Sequence, residues 1–112
     1  MREMREFKIK YVFHIPLCEF SGDELASIEI DEILEDLINR FNDNGFDSLY
    51  VSKAEGHYKS RRFDEMLLTL FSDDDAPEAI FKDWFRQNNA ILKQEAFAFE
   101  CSNRMYVEKL YK

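Results

Sequence analysis

The chain switches between two hydrophobic periods, and the order of those periods is the feature that most limits its fold. Apolar residues recur at every second position near the N-terminus and then at every third or fourth. Two further segments of period two follow, then a second helical segment and a last segment of period two. This order predicts strand, helix, strand, strand, helix, strand, in a single domain that spans residues 1–112.

Strict alternation identifies the strands. The pattern predicts strands at residues 7–15, 49–56, 63–71 and 96–101. The first is expected to end at Pro16, because proline has no N–H for the ladder. Residues 57–62, which are rich in charge, are predicted to form a hairpin tip, and residues 106–112 a short tail.

Two apolar stripes identify the helices. The first stripe comprises Ile30, Ile33, Leu34, Leu37, Ile38 and Phe41. The second comprises Ile80, Phe81, Trp84, Phe85 and Asn88. Asn44-Gly45 is expected to end the first helix and Asn88-Asn89 the second, whereas Pro77 and the preceding aspartates favour a helix start. Residues 17–29 have no clear period, contain a turn signal at Ser21-Gly22-Asp23, and are available as a flap.

The β-α-β-β-α-β order is the ferredoxin-like arrangement, an α+β sandwich. Right-handed crossovers would place both helices on one face of a four-stranded antiparallel sheet with strand order 4-1-3-2. The other face is then open. Its expected residues are Val12, His14, Tyr50, Leu67, Thr69, Ala96 and Ala98. A parity error of one residue in any strand would move that strand's side chains to the opposite face.

An open face of this composition is unfavourable in water, since most of its side chains are apolar or small. Contact between the open faces of two copies would cover it, as in proteins that this arrangement resembles, the dimeric α+β barrels. The sequence therefore predicts a homodimer through the open sheet face.

Charge and hydropathy exclude several partner classes. The net charge of −8 disfavours nucleic acid and membrane surfaces. The fold also resembles the RNA-recognition motif, but residues 62–69 lack the glycine of that family's stacking strand and carry Asp64 and Glu65. The chain has neither a long apolar run nor a signal-peptide pattern, so a cytoplasmic protein is expected.

The cysteines and acidic residues do not form a recognisable metal motif. Cys18 and Cys101 are expected at opposite ends of neighbouring strands, too far apart for a disulfide. Two histidines without a third ligand make a weak zinc site, and Asp73-Asp74-Asp75 lacks the spacing of a calcium loop. No metal and no cofactor are predicted.

The best candidate site lies at the hairpin end of the sheet. His14, His57, Tyr58, Arg61 and Arg62 are predicted to gather there as ligand-binding residues. A local positive charge in an acidic protein would suit a carboxylate or phosphate. The alternative is an ordinary solvated loop.

Two functions follow from this site. The first is a small binding or interaction protein that recognises an anionic ligand or a protein partner through the hairpin and sheet edge. The second is a cofactor-free enzyme of the dimeric α+β barrel type, with His14 as proton carrier and Arg61 or Arg62 as an electrophilic clamp. His14 also has a purely structural interpretation, as a hydrogen-bonded histidine of the sheet.

Overall fold

Five strands and two helices follow one another in the computed structural model, which describes residues 4–18 and 27–110. The elements are β1 Ile9–Pro16, α1 Ser27–Asp43, β2 Leu49–Tyr58, β3 Arg61–Ser72, α2 Ala76–Leu92, β4 Ala96–Cys101 and β5 Arg104–Lys109. The predicted order of the first six elements is confirmed. The predicted turn at Ser21-Gly22-Asp23 and most of the predicted flap lie outside the described residues.

The sheet has five antiparallel strands in the order β2-β3-β1-β4-β5. The predicted sheet of four strands was therefore wrong in one respect, because β5 adds to the outer edge of β4. Residues predicted as a tail form most of this strand. The hydrophobic alternation that would predict β5 is weak, because its two faces differ little in polarity. One face carries Arg104, Tyr106 and Glu108, and the other carries Met105 and Val107. Ser102, with a φ of 55°, lies in the turn that returns the chain.

The hairpin between β2 and β3 is longer than predicted. Only Lys59 and Ser60 form the turn, with φ values of 49° and 64°, while residues 57 and 58 pair with residues 62 and 61. Neither turn residue is the Asn or Gly that usually marks such a turn, so no residue pattern predicted a tight connection here. Because Pro16 pairs with Glu65, the hairpin continues beyond the end of β1.

Aromatic side chains fill the space between the sheet and the two helices. Phe13, on the central strand, lies with its ring centroid 4.5 Å from that of Phe81 and 5.5 Å from that of Phe41. Trp84 is fully buried and donates its indole N–H to the carbonyl oxygen of Ile33, 2.7 Å away. The predicted inward stripes of both helices therefore contribute to the core. Its other large members are Tyr11, Ile15, Leu37, Leu68, Leu70, Phe85, Leu92, Phe97 and Phe99.

Helix α2 continues past the predicted end at Asn88-Asn89 and stops at Leu92. The Asn88 side chain donates to the carbonyl of Trp84, and the Asn89 side chain bonds the backbone of Gln94. These bonds accommodate both asparagines within the helix. The chain leaves the helix at Lys93, whose left-handed φ of 54° closes the last turn. Neither α1 nor α2, the helices of the described residues, is long and apolar enough to cross a bilayer.

Candidate functional site

The open face of the sheet is the surface on which the predicted residues meet. In the strand register Val12 lies opposite Thr69, and His14 lies between Leu67 on one side and Ala98 on the other. Strands β2 and β5 extend the face with residues that project to solvent: Tyr50, Met105 and Val107 are 66%, 54% and 69% exposed. The face thus has a polar histidine near its centre and exposed apolar side chains towards its edges.

His14 is held between two carboxylates. Its Nδ1 lies 2.9 Å from Oε1 of Glu65, and its Nε2 lies 2.8 Å from Oε2 of Glu100. Glu65 is on β3 opposite Pro16, and Glu100 is on β4 opposite Val12, so each carboxylate approaches His14 along a diagonal. The side chains of His14, Glu65 and Glu100, which we call the Glu-His-Glu cluster, are 15%, 17% and 38% exposed.

This geometry favours the imidazolium form of His14. Burial acts to lower the pKa of His14, but the hydrogen bonds and negative charges of Glu65 and Glu100 outweigh it and raise the pKa above its ordinary value. Both ring nitrogens face carboxylate oxygens, and only a protonated ring donates from both. His14 therefore has no ring nitrogen available as a base unless one of these bonds opens.

The predicted cations of the hairpin are partly balanced by acids of the same hairpin. Glu55 accepts hydrogen bonds from Arg62 at 2.6 Å and from His57 at 2.8 Å, and Arg62 also pairs with Asp64 at 3.1 Å. The bonds from Arg62 and His57, with the charge of Arg62, lower the pKa of the Glu55 carboxyl. Glu55 was not predicted as part of this site. Its position two residues before His57 on one strand was the available signal, since such residues share a face.

Tyr58 and Arg61 lie on the opposite side of the hairpin from His57 and Arg62. They pair with each other across the turn, and the Lys59 ammonium lies 5.4 Å from the centre of the Tyr58 ring. Arg61 makes no ion pair with a residue in the described part of the chain. It is the hairpin cation that is best placed to meet an external anion.

The structure does not bring His14 and Arg61 together in one chain. His14 of β1 lies opposite Leu67 of β3, and Arg61 lies six residues before Leu67 on β3. At about 3.3 Å per residue the separation is roughly 20 Å. A single small ligand cannot touch both residues of one protomer.

An open depression of about 300 Å³ lies at the other end of the sheet. Arg5 crosses it, pairing with Asp73 at 3.0 Å and lying over the ring of Phe7. None of the predicted site residues lines it. Within residues 4–18 and 27–110, no three His, Cys, Asp or Glu side chains are grouped to hold a metal ion, and both cysteines are free.

Comparison with known proteins relates the chain by fold rather than by sequence. No protein-family model matches it, and no curated protein matches its sequence. It is similar to solved structures of a phage SAM lyase, in complex with S-methyl-5'-thioadenosine and in the apo state, with TM-scores of 0.63 and 0.64 and 12% identity. These matches cover 100% of this chain and 98% and 97% of the lyase chains. A DUF3240 family protein from Shewanella baltica matches over 96% of this chain and 94% of its own, with 9% identity and a TM-score of 0.47. The likeness to the lyase shows a shared ferredoxin-like α+β fold.

Proposed function

We propose that the protein is a small self-associating binding protein, in which the open sheet faces of two copies meet and enclose the Glu-His-Glu cluster. The observation that carries this proposal is the position of that cluster, half-buried at the centre of a sheet face with exposed apolar side chains around it. The hydrogen bonds within such a charged cluster become stronger when water is removed from around them. A second copy would remove that water.

The shape of the face supports a second copy as its cover. Ala98 lies between His14 and Val107 in one row across the strands, so a small side chain separates two larger ones. An exposed side chain from a facing copy, such as Met105, would fit the recess above it. Because the same residues are presented by both copies, a twofold contact supplies projections and recesses together.

The first prediction concerns this contact. We expect the unaltered chain to be at least a dimer at micromolar concentration, and Leu67→Glu to raise the dissociation constant by roughly a hundredfold, because it places a third carboxylate next to the Glu-His-Glu cluster in a contact that excludes water. Analytical ultracentrifugation measures both. Ala90→Glu, which adds the same charge to an exposed position of α2, is the matched control and should not change the mass. A monomeric unaltered chain would contradict the proposal.

The ligand suggested by the open face is a cation. His14 engages one oxygen of each flanking carboxylate, so the other oxygens of Glu65 and Glu100 are the atoms that a cation would contact. The overall charge of −8 favours the approach of a cation. An anionic ligand, which the hairpin residues His57, Arg61 and Arg62 predict, has Arg61 as its best contact.

A second candidate function is an enzyme acting on a nucleoside sulfonium. The observation that favours it is the pair of carboxylates beside a proton-bearing His14, since a sulfonium carries the positive charge that such a site attracts. The phage SAM lyase, which has the same fold, is the known protein that suggests this candidate function. This candidate replaces the Arg61 clamp by carboxylates but keeps His14 as the group that holds a proton.

The second prediction separates these ligands by thermal shift. We expect S-adenosylmethionine, as the cationic probe, to raise the melting temperature, and Glu100→Gln to abolish that rise. A panel of small carboxylates and inorganic phosphate tests the hairpin, with Arg61→Gln as its matched variant. Chromatography of the same mixture tests for release of S-methyl-5'-thioadenosine. Binding of S-adenosylmethionine without release of S-methyl-5'-thioadenosine supports the binding protein, and its release supports the enzyme. A rise in melting temperature with anions alone would contradict the proposal of a cationic ligand.

A further inference from the structure

The outer edge of β2 is long and regular. β2 has ten residues, Leu49–Tyr58, and lies at the end of the strand order, so none of the described strands pairs with its outer side. An exposed edge of this length presents backbone donors and acceptors to another strand. Charged residues that usually discourage such pairing are few here: Lys53 and Glu55 are the charged side chains of the strand apart from His57.

The hairpin geometry fixes which backbone groups face outward. In a two-residue hairpin the closing pair, here Tyr58 and Arg61, exchanges hydrogen bonds between the strands, and bonded pairs then alternate with unbonded ones. The even-numbered residues 50–58 therefore bond β3. The odd-numbered residues Leu49, Val51, Lys53, Glu55 and His57 direct their N–H and C=O groups to the free edge.

We propose that a second copy of this chain pairs with this edge, β2 against β2, in an antiparallel ladder centred on Ala54. Lys53 then lies opposite Glu55 of the second copy, where it joins the Arg62 and His57 that Glu55 already contacts in its own chain, and the twofold axis repeats this contact. Tyr50 lies opposite Tyr58, again twice, and both tyrosines are 66% exposed in the single chain. Opposite charges and aromatic pairs across strands each stabilise a ladder.

Other registers are disfavoured by the same residues. The outward-facing backbone N–H and C=O groups of two copies meet only when odd-numbered residues lie opposite odd-numbered residues. This pairing also keeps the helices of both copies on one face of the joined sheet. A ladder centred on Lys53 would oppose two lysines, and one centred on Glu55 would oppose two glutamates. A ladder centred on Ser52 would place Lys53 opposite Val51 and Glu55 opposite Leu49. Ala54 is the centre that pairs the two charges.

This edge contact is independent of the open-face contact. It would join two sheets into one of ten strands and leave the open face of each sheet uncovered. A protein that uses both contacts forms assemblies larger than a dimer. The two proposals can therefore fail separately.

Charge-reversal variants test the edge in the Leu67→Glu background, where the open-face contact is weakened. We expect this protein to form a dimer through β2 that is detected when its concentration is raised to about 1 mM. Lys53→Glu or Glu55→Lys, added singly, should weaken that dimer about tenfold or more, because each opposes like charges twice. An equimolar mixture of the two variants should recover a one-to-one heterodimer, since both ion pairs form again.

Recovery on mixing is the decisive readout, because a variant that merely misfolds does not recover. Val51→Pro supplies a second measure: it removes an outward N–H that β3 does not use and should weaken the dimer without unfolding the chain. A Leu67→Glu protein that is monomeric at about 1 mM, or a mixture no more associated than its components, would overturn the edge proposal. An unaltered dimer that survives Leu67→Glu but not Lys53→Glu would overturn the open-face proposal and leave the edge standing.

Discussion

Replacing Trp84 by alanine is expected to lower the free energy of unfolding by about 3–5 kcal/mol. The indole is fully buried, with its centroid 6.0 Å from the rings of both Phe81 and Phe85. Its removal leaves a cavity between the helices and also ends the hydrogen bond to the Ile33 carbonyl. Since domains of this size are stable by about 5–15 kcal/mol, the loss is a large fraction of the total.

Chemical denaturation measures this loss as a shift of the midpoint. Trp84→Phe keeps most of the aromatic burial and removes the indole N–H, so we expect it to cost clearly less than the alanine variant. Phe7→Ala, at a ring that is 40% exposed, is the control for removing an aromatic side chain outside the core. An unshifted midpoint for Trp84→Ala would mean that α2 packs through another face.

Replacing His14 by leucine is expected to lower the free energy of unfolding by about 2 kcal/mol at pH 6. Leucine fills much of the same volume but leaves Glu65, which is 17% exposed, without its charged partner. Glu100 loses its partner as well, and the two carboxylates are then close enough to repel each other. The cost is electrostatic, which makes it dependent on pH.

The difference between the unaltered chain and His14→Leu should shrink as the pH rises. The pKa of His14 is raised in the folded state. A raised pKa stabilises the fold fully below the unfolded value, near 6.5, and this contribution is lost as the pH rises through the folded pKa. Urea denaturation of both proteins between about pH 6 and pH 9 measures the trend. The exposed His57, changed to leucine, is the control, and a difference that grows with pH would contradict the imidazolium assignment.

The strands and helices of the core could be predicted because burial is periodic along the chain. In β1, Phe13 and the residues two positions away from it face the helices, as the period of two predicts. In α2, Phe81, Trp84 and Phe85 lie on the apolar stripe and face the core, as the helical period predicts. The edges of the sheet were harder. In β5 both faces are largely exposed, so Arg104–Lys109 has no strong alternation to reveal it, and the hairpin of β2 and β3 lacked a recognisable turn pair.

The candidate site depended on contacts between residues distant in sequence. Glu65 and Glu100 are separated from His14 by 51 and 86 residues, and no local pattern indicates that a histidine on one strand lies diagonally between them. In the hairpin the sequence showed the cations, whereas the strand pairing decided that Glu55 and Asp64 balance Arg62 and that Arg61 lies on the other face.

Hydrophobic periodicity was enough to predict the α+β class, the two helices on one face of the sheet, and the open-face side chains of β1 to β4, because each follows from which residues must leave water. The fifth strand, the charge state favoured for His14 and the separation of His14 from Arg61 emerged from the folded chain. These depend on strand register and on the direction of individual side chains, which hydrophobic periodicity does not encode.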